Sequence, residues 1–460
     1  MSDILPEYLY IGSALLFVLS LKFMAEVRTS RWGNFCGVGG MTLAVIATLD
    51  AFHVGQIDLL IGGVVIGAVL GAPIGLKVPM TAVPQRTAMS HAFGSLAVAL
   101  VGAAEYYTYI PNIDTFSLSV LSTEMILGFL TFTGSIIAFA KLQGLISGRP
   151  VLIPGRRVIS LTTLAGAIIA GIFLVTYPSQ EFIVPVLAGL ALLFGFQLVI
   201  AIGGADMPAV IAILNSFAGL SAAALGFVLN SKILIVAGSL DGSSGLILGL
   251  IMSKAMNRSF VNILFGGVGG TIQSSVQTTS ETRSVQSYSV DDVATVLSNA
   301  QSVIIAPGYG MAVAQAQHVV KELADVLQSR NIDVKYAIHP VAGRMPGHMN
   351  VLLAEAQVPY EQLWEMDRIN PLFPETDVVI VVGANDVTNP AARTKADSPL
   401  YGMPILDVDR AKTVVFVKRS LSPGFSGVEN ELFYLPNTMM VFGDAKKVVG
   451  ELVAAVRKQN

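Results

Sequence analysis

A glycine-rich turn between an apolar run and a helical pattern is the clearest sign of chemistry in this 460-residue sequence. Residues 302–306 predict a buried strand, and the segment from Pro307 leads into a helix predicted over 311–328. Gly308, Gly310 and Val313 form a G-x-G-x-x-V pattern, with a small apolar residue in place of the third glycine. Such a turn lets a pyrophosphate approach the backbone at a helix N-terminus. It predicts a dinucleotide site, with a tight turn that binds nothing as the alternative.

The ends of two further predicted strands indicate which dinucleotide would fit. NAD sites usually carry an acid near the end of the second strand for the ribose hydroxyl, and no acid follows the strand predicted at 334–338. The strand at 413–417 runs into Lys418, Arg419 and Ser420, two cations and a hydroxyl suited to a 2′-phosphate. Charge therefore favours NADP over NAD, unless this is simply a solvated basic strand end.

A second group of polar residues interrupts apolar segments. His91 lies deep in one of them, where an ionisable side chain is a functional candidate and an imidazole can exchange protons near neutral pH. A neutral ring in an interhelical hydrogen bond is the alternative. Asn215 could likewise belong to a pathway or join two helices, and Asp206 could be an N-cap. Asp241 places a charge inside an apolar segment, which is energetically costly. We expect Glu124 to lie near the solvated outer end of its segment.

The sequence divides into two halves of different composition. The polar residues in apolar segments lie in the first half, and the predicted dinucleotide site lies in the second. Residues 1–260 hold 12 Lys/Arg and 11 Asp/Glu, whereas residues 261–460 hold 16 and 20. The chain is 53% hydrophobic and 13% charged. A soluble globular protein carries about 25% charged residues, so this composition excludes a purely soluble enzyme. A net charge of −3 gives no reason to expect nucleic-acid binding, and one cysteine excludes a disulfide scaffold. We expect a membrane domain at 1–260, a flexible Gly/Ser/Thr/Gln-rich linker at 261–289 and a soluble domain at 290–460.

The membrane half contains runs of about 20 apolar residues, the length that crosses a bilayer. The predicted spans are 8–25, 36–53, 57–76, 84–104, 121–146, 158–177, 182–203, 207–229 and 233–253. With the N-terminus outside, the inner loops collect nearly all the Lys and Arg, which places the C-terminal domain in the cytoplasm. Small residues in the third span (Gly62, Gly63, Gly67, Gly71) and the eighth (Ala222 to Ala224, Gly226) predict close helix packing.

The soluble half alternates apolar runs with helical segments, a pattern typical of a parallel sheet covered on both faces. Strands are predicted at 302–306, 334–338, 378–382, 413–417 and 438–442, and helices at 311–328, 347–355 and 445–458. The predicted fold class is an all-α polytopic membrane domain with nine transmembrane helices, followed by an α/β Rossmann-like parallel-sheet domain.

Five strings in order resemble the beta subunits of proton-translocating NAD(P) transhydrogenases, over essentially the whole chain. They are Gly203-Gly204-Ala205-Asp206-Met207-Pro208, Gly308-Tyr309-Gly310-Met311-Ala312-Val313-Ala314-Gln315-Ala316, His339-Pro340-Val341-Ala342-Gly343-Arg344 with Pro346-Gly347-His348-Met349-Asn350-Val351, Gly383-Ala384-Asn385-Asp386, and Lys418-Arg419-Ser420. Two positions depart from the family pattern: Phe425 stands where many relatives have Tyr, and Asp241 replaces a usually uncharged residue.

The resemblance implies hydride transfer between NAD(H) on an alpha subunit and NADP(H) on this chain, coupled to proton translocation across the bacterial inner membrane. It further implies a dimer of alpha–beta units. His91 and Asn215 match the family's membrane histidine and asparagine, with Asp206 near the coupling region. The residues that it implies for cofactor binding are Gly308, Tyr309, Gly310, Val313, Val341, Ala342, Gly343, Arg344, Met345, Pro346, Gly383, Ala384, Asn385, Asp386, Val387, Gly402, Met403, Lys418, Arg419, Ser420, Gly424, Phe425, Asp444 and Ala445.

This chain contains one dinucleotide fingerprint, whereas hydride transfer between two nicotinamides needs two facing sites. The count supports the assignment of NAD(H) to a second subunit. Two other functions stay open from the residues alone. One is a secondary transporter or channel gated by NADP(H), which should carry basic residues deep in its spans. The other is an NADP dehydrogenase anchored in the membrane, which should carry a second substrate domain.

Overall fold

The computed structural model describes residues 4–52, 57–110, 112–148, 150–151, 155–257, 259–260, 263, 285–398, 400–424 and 426–459. They form two compact units. Most of the predicted linker and Phe425 lie outside the described residues.

Within the described part of the chain, nine helices of the first half are long and apolar enough to span a membrane, as predicted. They are α1 (Ile4–Met24), α2 (Ser30–Phe52), α3 (Ile57–Lys77), α4 (Val83–Tyr109), α5 (Thr115–Gln143), α6 (Arg156–Thr176), α7 (Ile183–Ile200), α8 (Met207–Val228) and α9 (Lys232–Ala255).

Small residues set the packing of several pairs of spans, because hydrophobic burial cannot drive helices together in lipid. On α8 and α9, a side-chain carbon on Gly238 would lie 2.5 Å from the backbone nitrogen of Ala223, which confirms the expectation for the eighth span. The prediction for the third span, which helices of another chain could also satisfy, finds no packing partner among the described residues of this chain. No described atom lies within 4 Å of a carbon added to Gly63 or Gly67, and α3 has no buried described residue.

Among the described residues, the C-terminal domain contains a six-stranded parallel sheet. Its strands are β1 (Ser302–Pro307), β2 (Asp333–Ile338), β3 (Leu363–Glu365), β4 (Val378–Val382), β5 (Thr413–Lys418) and β6 (Thr438–Phe442). The order is β3-β2-β1-β4-β5-β6, the doubly wound arrangement of dinucleotide-binding domains. Every residue of β4 is buried, so the sheet is covered on both faces.

The helices of this domain lie at Val290–Ser298, Tyr309–Val313, Gln317–Gln328, His348–Glu355, Met366–Ile369, Ala391–Thr394 and Ala445–Lys458. A Ser289–Asp292 capping box starts the first of them. Just before it, the backbone of Gln286 and Tyr288 bonds to Met440 of β6. The single long helix predicted over 311–328 is wrong: Gln315 adopts a φ of +49° and divides it in two.

Candidate functional site

The loops that follow β1 and β4 contact each other through their backbones. These two strands are neighbours at the point where the strand order reverses, which is where doubly wound sheets bind ligands. A side-chain carbon on Gly308 would lie 2.3 Å from the Cα of Ala384, and one on Gly310 would lie 2.7 Å from the Cα of Gly383. Gly383 itself has a φ of +69°. Only residues without side chains allow this crossing.

The glycine-rich turn differs from the predicted arrangement in one respect. The N–H of Gly310 donates to the carbonyl oxygen of Gly383 over 2.9 Å, so this amide is already paired inside the protein. The helix that follows, Tyr309–Val313, is only five residues long. The two glycines therefore hold two loops together, and a long helix does not begin at this turn.

The loop after β2 is folded around two buried histidines. The N–H of Val341 donates to Nδ1 of His339 over 3.2 Å, and His339 Nε2 therefore donates to the Pro404 carbonyl over 2.8 Å. Burial lowers the pKa of His339 to about 4, so the ring is neutral near pH 7. This neutral histidine joins the loop after β2 to the loop that carries Gly402 and Met403.

His348 anchors the other end of the same loop, and its environment was not foreseen. Its Nδ1 accepts the backbone N–H of Arg344 over 3.0 Å, while its buried Nε2 has no hydrogen-bond partner in the described structure. Burial, followed by the charge of Arg344, lowers its pKa to about 4. The Arg344 guanidinium lies 4.3 Å from the ring centroid of Tyr309. Two predicted contact residues, Tyr309 and Arg344, thus contact each other, and the Tyr309 ring centroid lies 6.3 Å from that of the neutral His348 ring.

Lys418 connects the carboxyl ends of β5 and β4. Its Nζ donates to Asn385 Oδ1 over 3.1 Å and to the Ser422 carbonyl, and it lies 4.6 Å from the centre of the Phe433 ring. Burial lowers the pKa of Lys418 to about 8, an effect that nearby Asp386 partly opposes. Arg419 and Ser420 are exposed beside it. The predicted cationic pair therefore contains one cation held within the fold and one facing solvent.

Asp386 fixes the loop that follows this pair. Its carboxylate accepts the backbone N–H and the hydroxyl of Ser426, each over 2.9 Å. Gly424 passes so close that an added side-chain carbon would lie 2.5 Å from Asp386 Oδ1. The predicted residues on the loops after β4 and β5 therefore form one connected group.

The other predicted cofactor residues lie in the same loops or at neighbouring strand ends. Asp444 follows β6 and is the N-cap of Ala445–Lys458, accepting the N–H groups of Lys446 and Lys447. The remainder occupy the loops after β2 and β4 or the loop before Pro404: Ala342, Gly343, Met345, Pro346, Val387, Gly402 and Met403. Val313 ends the short helix after Gly308.

Asn215, one of the polar residues predicted in the membrane half, is bonded to Asp241, the acid that interrupts the last apolar segment. Asn215 Nδ2 on α8 donates to Asp241 Oδ1 on α9 over 3.0 Å. His91 is half-buried on α4, and its Nδ1 has no hydrogen-bond partner among the described residues. Asp206 lies in a 3-10 turn directly before α8.

Glu124 is not solvated, contrary to expectation. It is fully buried on α5, where the Ser221 hydroxyl donates to its backbone oxygen over 3.1 Å. Its Oε2 has no hydrogen-bond partner in the part of the chain that the structure describes. Oε2 would lie 1.9 Å from a side-chain carbon on Gly102. The interhelical space left by that glycine holds the carboxyl, a feature that apolar composition could not show.

Comparison with known proteins gives a consistent result over the whole chain. The family model described as NAD(P) transhydrogenase beta subunit matches residues 6–455. A Rhodospirillum rubrum protein described as NAD(P) transhydrogenase subunit beta is 47% identical over 456 residues, covering 97% of this chain and 98% of its own length. A second sequence, from a strain of the same species, gives the same values. The chain belongs to the NAD(P) transhydrogenase beta subunit family.

Family membership confirms the resemblance and the enzyme class. The described apolar helices and the parallel sheet confirm the fold class. As a transhydrogenase beta subunit, the chain is part of an oxidoreductase complex, and an alpha subunit is its partner. Its nine described apolar helices agree with an integral membrane protein. The alternative of a transporter or channel without hydride chemistry finds no support in these matches.

Proposed function

We propose that this beta subunit binds NADP(H) where the loops after β1, β2, β4 and β5 meet. The alpha subunit would bind NAD(H), and hydride transfer between the two would be coupled to proton passage through His91 and Asn215. The observation that carries the proposal is the link between Lys418 and Asn385. It places a cation at the end of β5 beside the crossing of Gly308, Gly310 and Gly383, at the position where such sheets bind nucleotides.

The residues present fit a phosphorylated dinucleotide. The crossing of the loops after β1 and β4 lies at the carboxyl ends of adjacent strands, where the pyrophosphate of a dinucleotide would lie. Arg419 is exposed next to Lys418, so its guanidinium is available for a 2′-phosphate, which arginine binds in a bidentate manner. The buried Nε2 of His348, without a partner in the described chain, is a polar atom suited to a further hydrogen bond.

The chain's own contribution to hydride transfer is positioning. The nicotinamide supplies the hydride chemistry when the nucleotide is bound, so no general acid or base of the protein is needed there. Tyr309 and Arg344 would hold one part of the nucleotide, and Lys418 with Arg419 another, which fixes the distance to the facing site. Asp386 would hold the loop at Gly424 and Ser426 in place.

Coupling requires that proton occupancy in the membrane and nucleotide affinity affect each other. If protonation of His91 changes the affinity for NADP(H), then NADP(H) must change the proton affinity of His91 by the same factor. Asp206 precedes Asn215 by nine residues on the chain, and we propose that it belongs to the connection between the two events.

The distribution of Lys and Arg supports an orientation with the N-terminus outside and the nucleotide domain in the cytoplasm of a bacterial cell. We further propose a dimer of alpha–beta units. The unpacked glycine face of α3 supports additional helix contacts in that assembly, because glycine-rich faces allow helices to approach closely.

Reconstitution with the alpha subunit tests the proposal. Vesicles that contain both subunits should reduce an NAD analogue with NADPH and move protons, whereas the beta subunit alone should bind NADPH without turnover. The variant His91→Ala should bind NADPH but lose proton movement. Proton movement at the wild-type rate in that variant would refute the path, and tighter binding of NADH than of NADPH would refute the cofactor assignment.

A further inference from the structure

Lys141 is a buried cation near the end of a membrane span. It lies two residues before Gln143, the last residue of α5, and it is only 4% exposed. A lysine near the end of a span usually extends its ammonium group to water at the membrane surface. Here Nζ donates instead to the backbone oxygens of Ile200, over 2.5 Å, and Ile202, over 2.7 Å. These bonds offset the cost of removing the ammonium group from water.

The two carbonyl groups belong to the connection between α7 and α8. Ile200 is the last residue of α7, and Ile202 lies in the short connection that leads to Met207, the first residue of α8. The last carbonyl groups of a helix have no partner within it, and a cation binds them favourably. Lys141 therefore fixes the point at which the chain leaves α7 and turns into α8, the helix that carries Asn215.

The same face of α5 packs against α7 and α8. Gly134 precedes Lys141 by seven residues, and positions i and i+7 lie on one side of a helix. A side-chain carbon on Gly134 would lie 3.2 Å from Val199 Cγ2 and 3.0 Å from Leu214 Cδ2. Val199 is next to the end of α7, and Leu214 is next to Asn215. This face of α5 therefore contacts α8 beside Asn215.

Helix α5 also lies between α8 and α4, the helix that carries His91. A side-chain carbon on Gly128 of α5 would lie 3.1 Å from the backbone oxygen of Ser95 on α4 and 3.2 Å from Ser221 Oγ on α8. Ser95 is about one helical turn from His91. The position of α5 therefore affects the position of His91 relative to Asn215.

The end of α5 is bonded to α4 as well as to the connection between α7 and α8. Gln85 Nε2 on α4 donates to the backbone oxygen of Leu142 over 3.3 Å, and Leu142 directly follows Lys141. Leu142 is also buried. Two adjacent residues of α5 thus hold three other helices at one level, and a shift of α5 along its axis would break both sets of bonds.

We propose that Lys141 is a positioning residue for proton transfer, which holds α8 and its Asn215 in a fixed position relative to His91 on α4. The inference rests on the proposed proton path through His91 and Asn215. Lys141 carries no proton along this path, and its contribution is to keep groups on two different helices aligned. Without the ammonium group, the end of α7 and the start of α8 lose their attachment to α5.

Lys141→Met tests the proposal, because it keeps a long apolar side chain and removes the ammonium group. In vesicles with the alpha subunit, we expect proton movement per bound NADPH to fall about tenfold, the scale set by the loss of hydrogen bonds from a charged group. Bound NADPH counts the folded molecules. The dissociation constant for NADPH should not change, because the bonds of Lys141 lie outside the nucleotide-binding loops. A merely structural role predicts fewer folded molecules, each with normal proton movement.

A second neutral variant and a matched control complete the test. Lys141→Gln keeps a polar side chain that is too short to replace the ammonium group at both carbonyl oxygens, so it should lose proton movement as Lys141→Met does. It keeps the proposal testable if the methionine variant does not fold. Lys77→Met makes the same change at the last residue of α3, where the lysine is exposed. Proton movement per bound NADPH should stay normal in this control.

The outcomes distinguish this inference from the proposed function. Reduced proton movement per bound NADPH in a neutral Lys141 variant, with normal movement in Lys77→Met, supports the inference. Wild-type movement per bound NADPH in Lys141→Met or Lys141→Gln overturns it, and loss of movement in His91→Ala then leaves the proton path intact. If neither neutral variant binds NADPH, Lys141 serves folding alone and the inference is also overturned. Wild-type movement in His91→Ala overturns the proposed function instead.

Discussion

Gly310 and Gly383 are in direct backbone contact: the N–H of Gly310 donates to the Gly383 carbonyl over 2.9 Å. A side-chain carbon on Gly383 would lie 2.4 Å from the Cα of Gly310. This contact joins the loops of two strands that are 70 residues apart in the chain and adjacent in the sheet. The glycine pattern therefore has a structural role in this fold, beside any contact with a nucleotide.

Gly383→Ala should destabilise the nucleotide domain and weaken NADPH binding strongly. The new methyl group would meet backbone atoms of Gly310 and Met311, which cannot move aside as a flexible side chain could. Overpacking of this kind costs about 1–3 kcal/mol, and a non-glycine residue at positive φ adds about 1–2 kcal/mol. Thermal denaturation and NADPH titration of the purified chain measure the two effects.

Gly427→Ala is the control for backbone strain alone. Gly427 has a φ of +72°, close to that of Gly383, but no atom of the described residues lies within 4 Å of an added carbon. We expect a smaller loss of stability there. Equal losses in the two variants would show that the crossing of the loops is not tightly packed.

Arg419→Gln should reduce NADPH affinity without changing stability, because Arg419 is exposed. A hydrogen bond to a charged group contributes about 1.5–3 kcal/mol, so the dissociation constant should rise about tenfold or more. NADH binding, where it can be measured, should not change. Calorimetric titration of the purified chain with both nucleotides gives the comparison.

Lys418→Gln should lose affinity and stability together, since Lys418 also joins Asn385 to Ser422. Lys412→Gln is the control, as Lys412 lies at the opposite end of β5 and pairs with Asp377.

If Arg419→Gln weakened the binding of NADPH and NADH equally, the assignment of Arg419 to a 2′-phosphate would be wrong.

Acidification from about pH 6.5 to pH 4 should destabilise the loop after β2. The pKa of His339 is lowered to about 4 in the folded protein, from the ordinary histidine value near 6.5. Between these values the unfolded chain binds more protons, so stability rises with pH and is lost as pH falls through this range. Protonation at Nδ1 would also break the bond from the Val341 N–H.

The fluorescence of Trp364 on β3, adjacent to β2, reports this transition. The measurement needs a Trp32→Phe background, because Trp32 is the other tryptophan of the chain. The double variant His339→Gln, His348→Gln should flatten the pH dependence, since His348 has a similarly lowered pKa. A wild-type melting temperature that stays constant from pH 4 to 6.5 would contradict this prediction.

The sequence predicted the strands that are fully buried and missed the features that depend on tertiary contacts. The run at Val378–Val382 was predictable because a parallel strand covered on both faces is continuously apolar. The three residues of β3 are partly exposed and carry no such pattern. Nothing in the alanine-rich segment around Gln315 marks the break between two helices.

The polar residues of the membrane-spanning helices show more clearly that tertiary contacts cannot be predicted from one sequence. His91 and Asn215 could be selected as polar residues in apolar spans, each weighed alone. The bond between Asn215 and Asp241 depends on the register of α8 against α9, which glycines set and a single sequence does not show. Glu124 was misjudged for a related reason, because its burial depends on Gly102 and Ser221 of two other helices.

The contact between α5 and α7 gives a prediction about the stability of the membrane unit. A side-chain carbon on Gly195 of α7 would lie 2.1 Å from the backbone oxygen of Leu130 and 2.3 Å from Thr133 Oγ1. Thr133 also donates to the Leu192 carbonyl over 2.7 Å, which ties the helices together at this level. Gly195→Ala should separate the two helices and cost about 1–3 kcal/mol, as overpacking does elsewhere. The melting temperature in detergent should fall.

Gly189→Ala on the same helix isolates the packing effect. No described atom lies within 4 Å of a carbon added at Gly189, so the substitution meets no neighbour within the chain. Alanine favours a helix over glycine by about 1 kcal/mol, which predicts an unchanged or slightly raised melting temperature. Both variants change one glycine of α7 to the same residue, and therefore any difference between them comes from the neighbours on α5. Equal melting temperatures for Gly195→Ala and the wild type would show that α5 and α7 are not in backbone contact at this glycine.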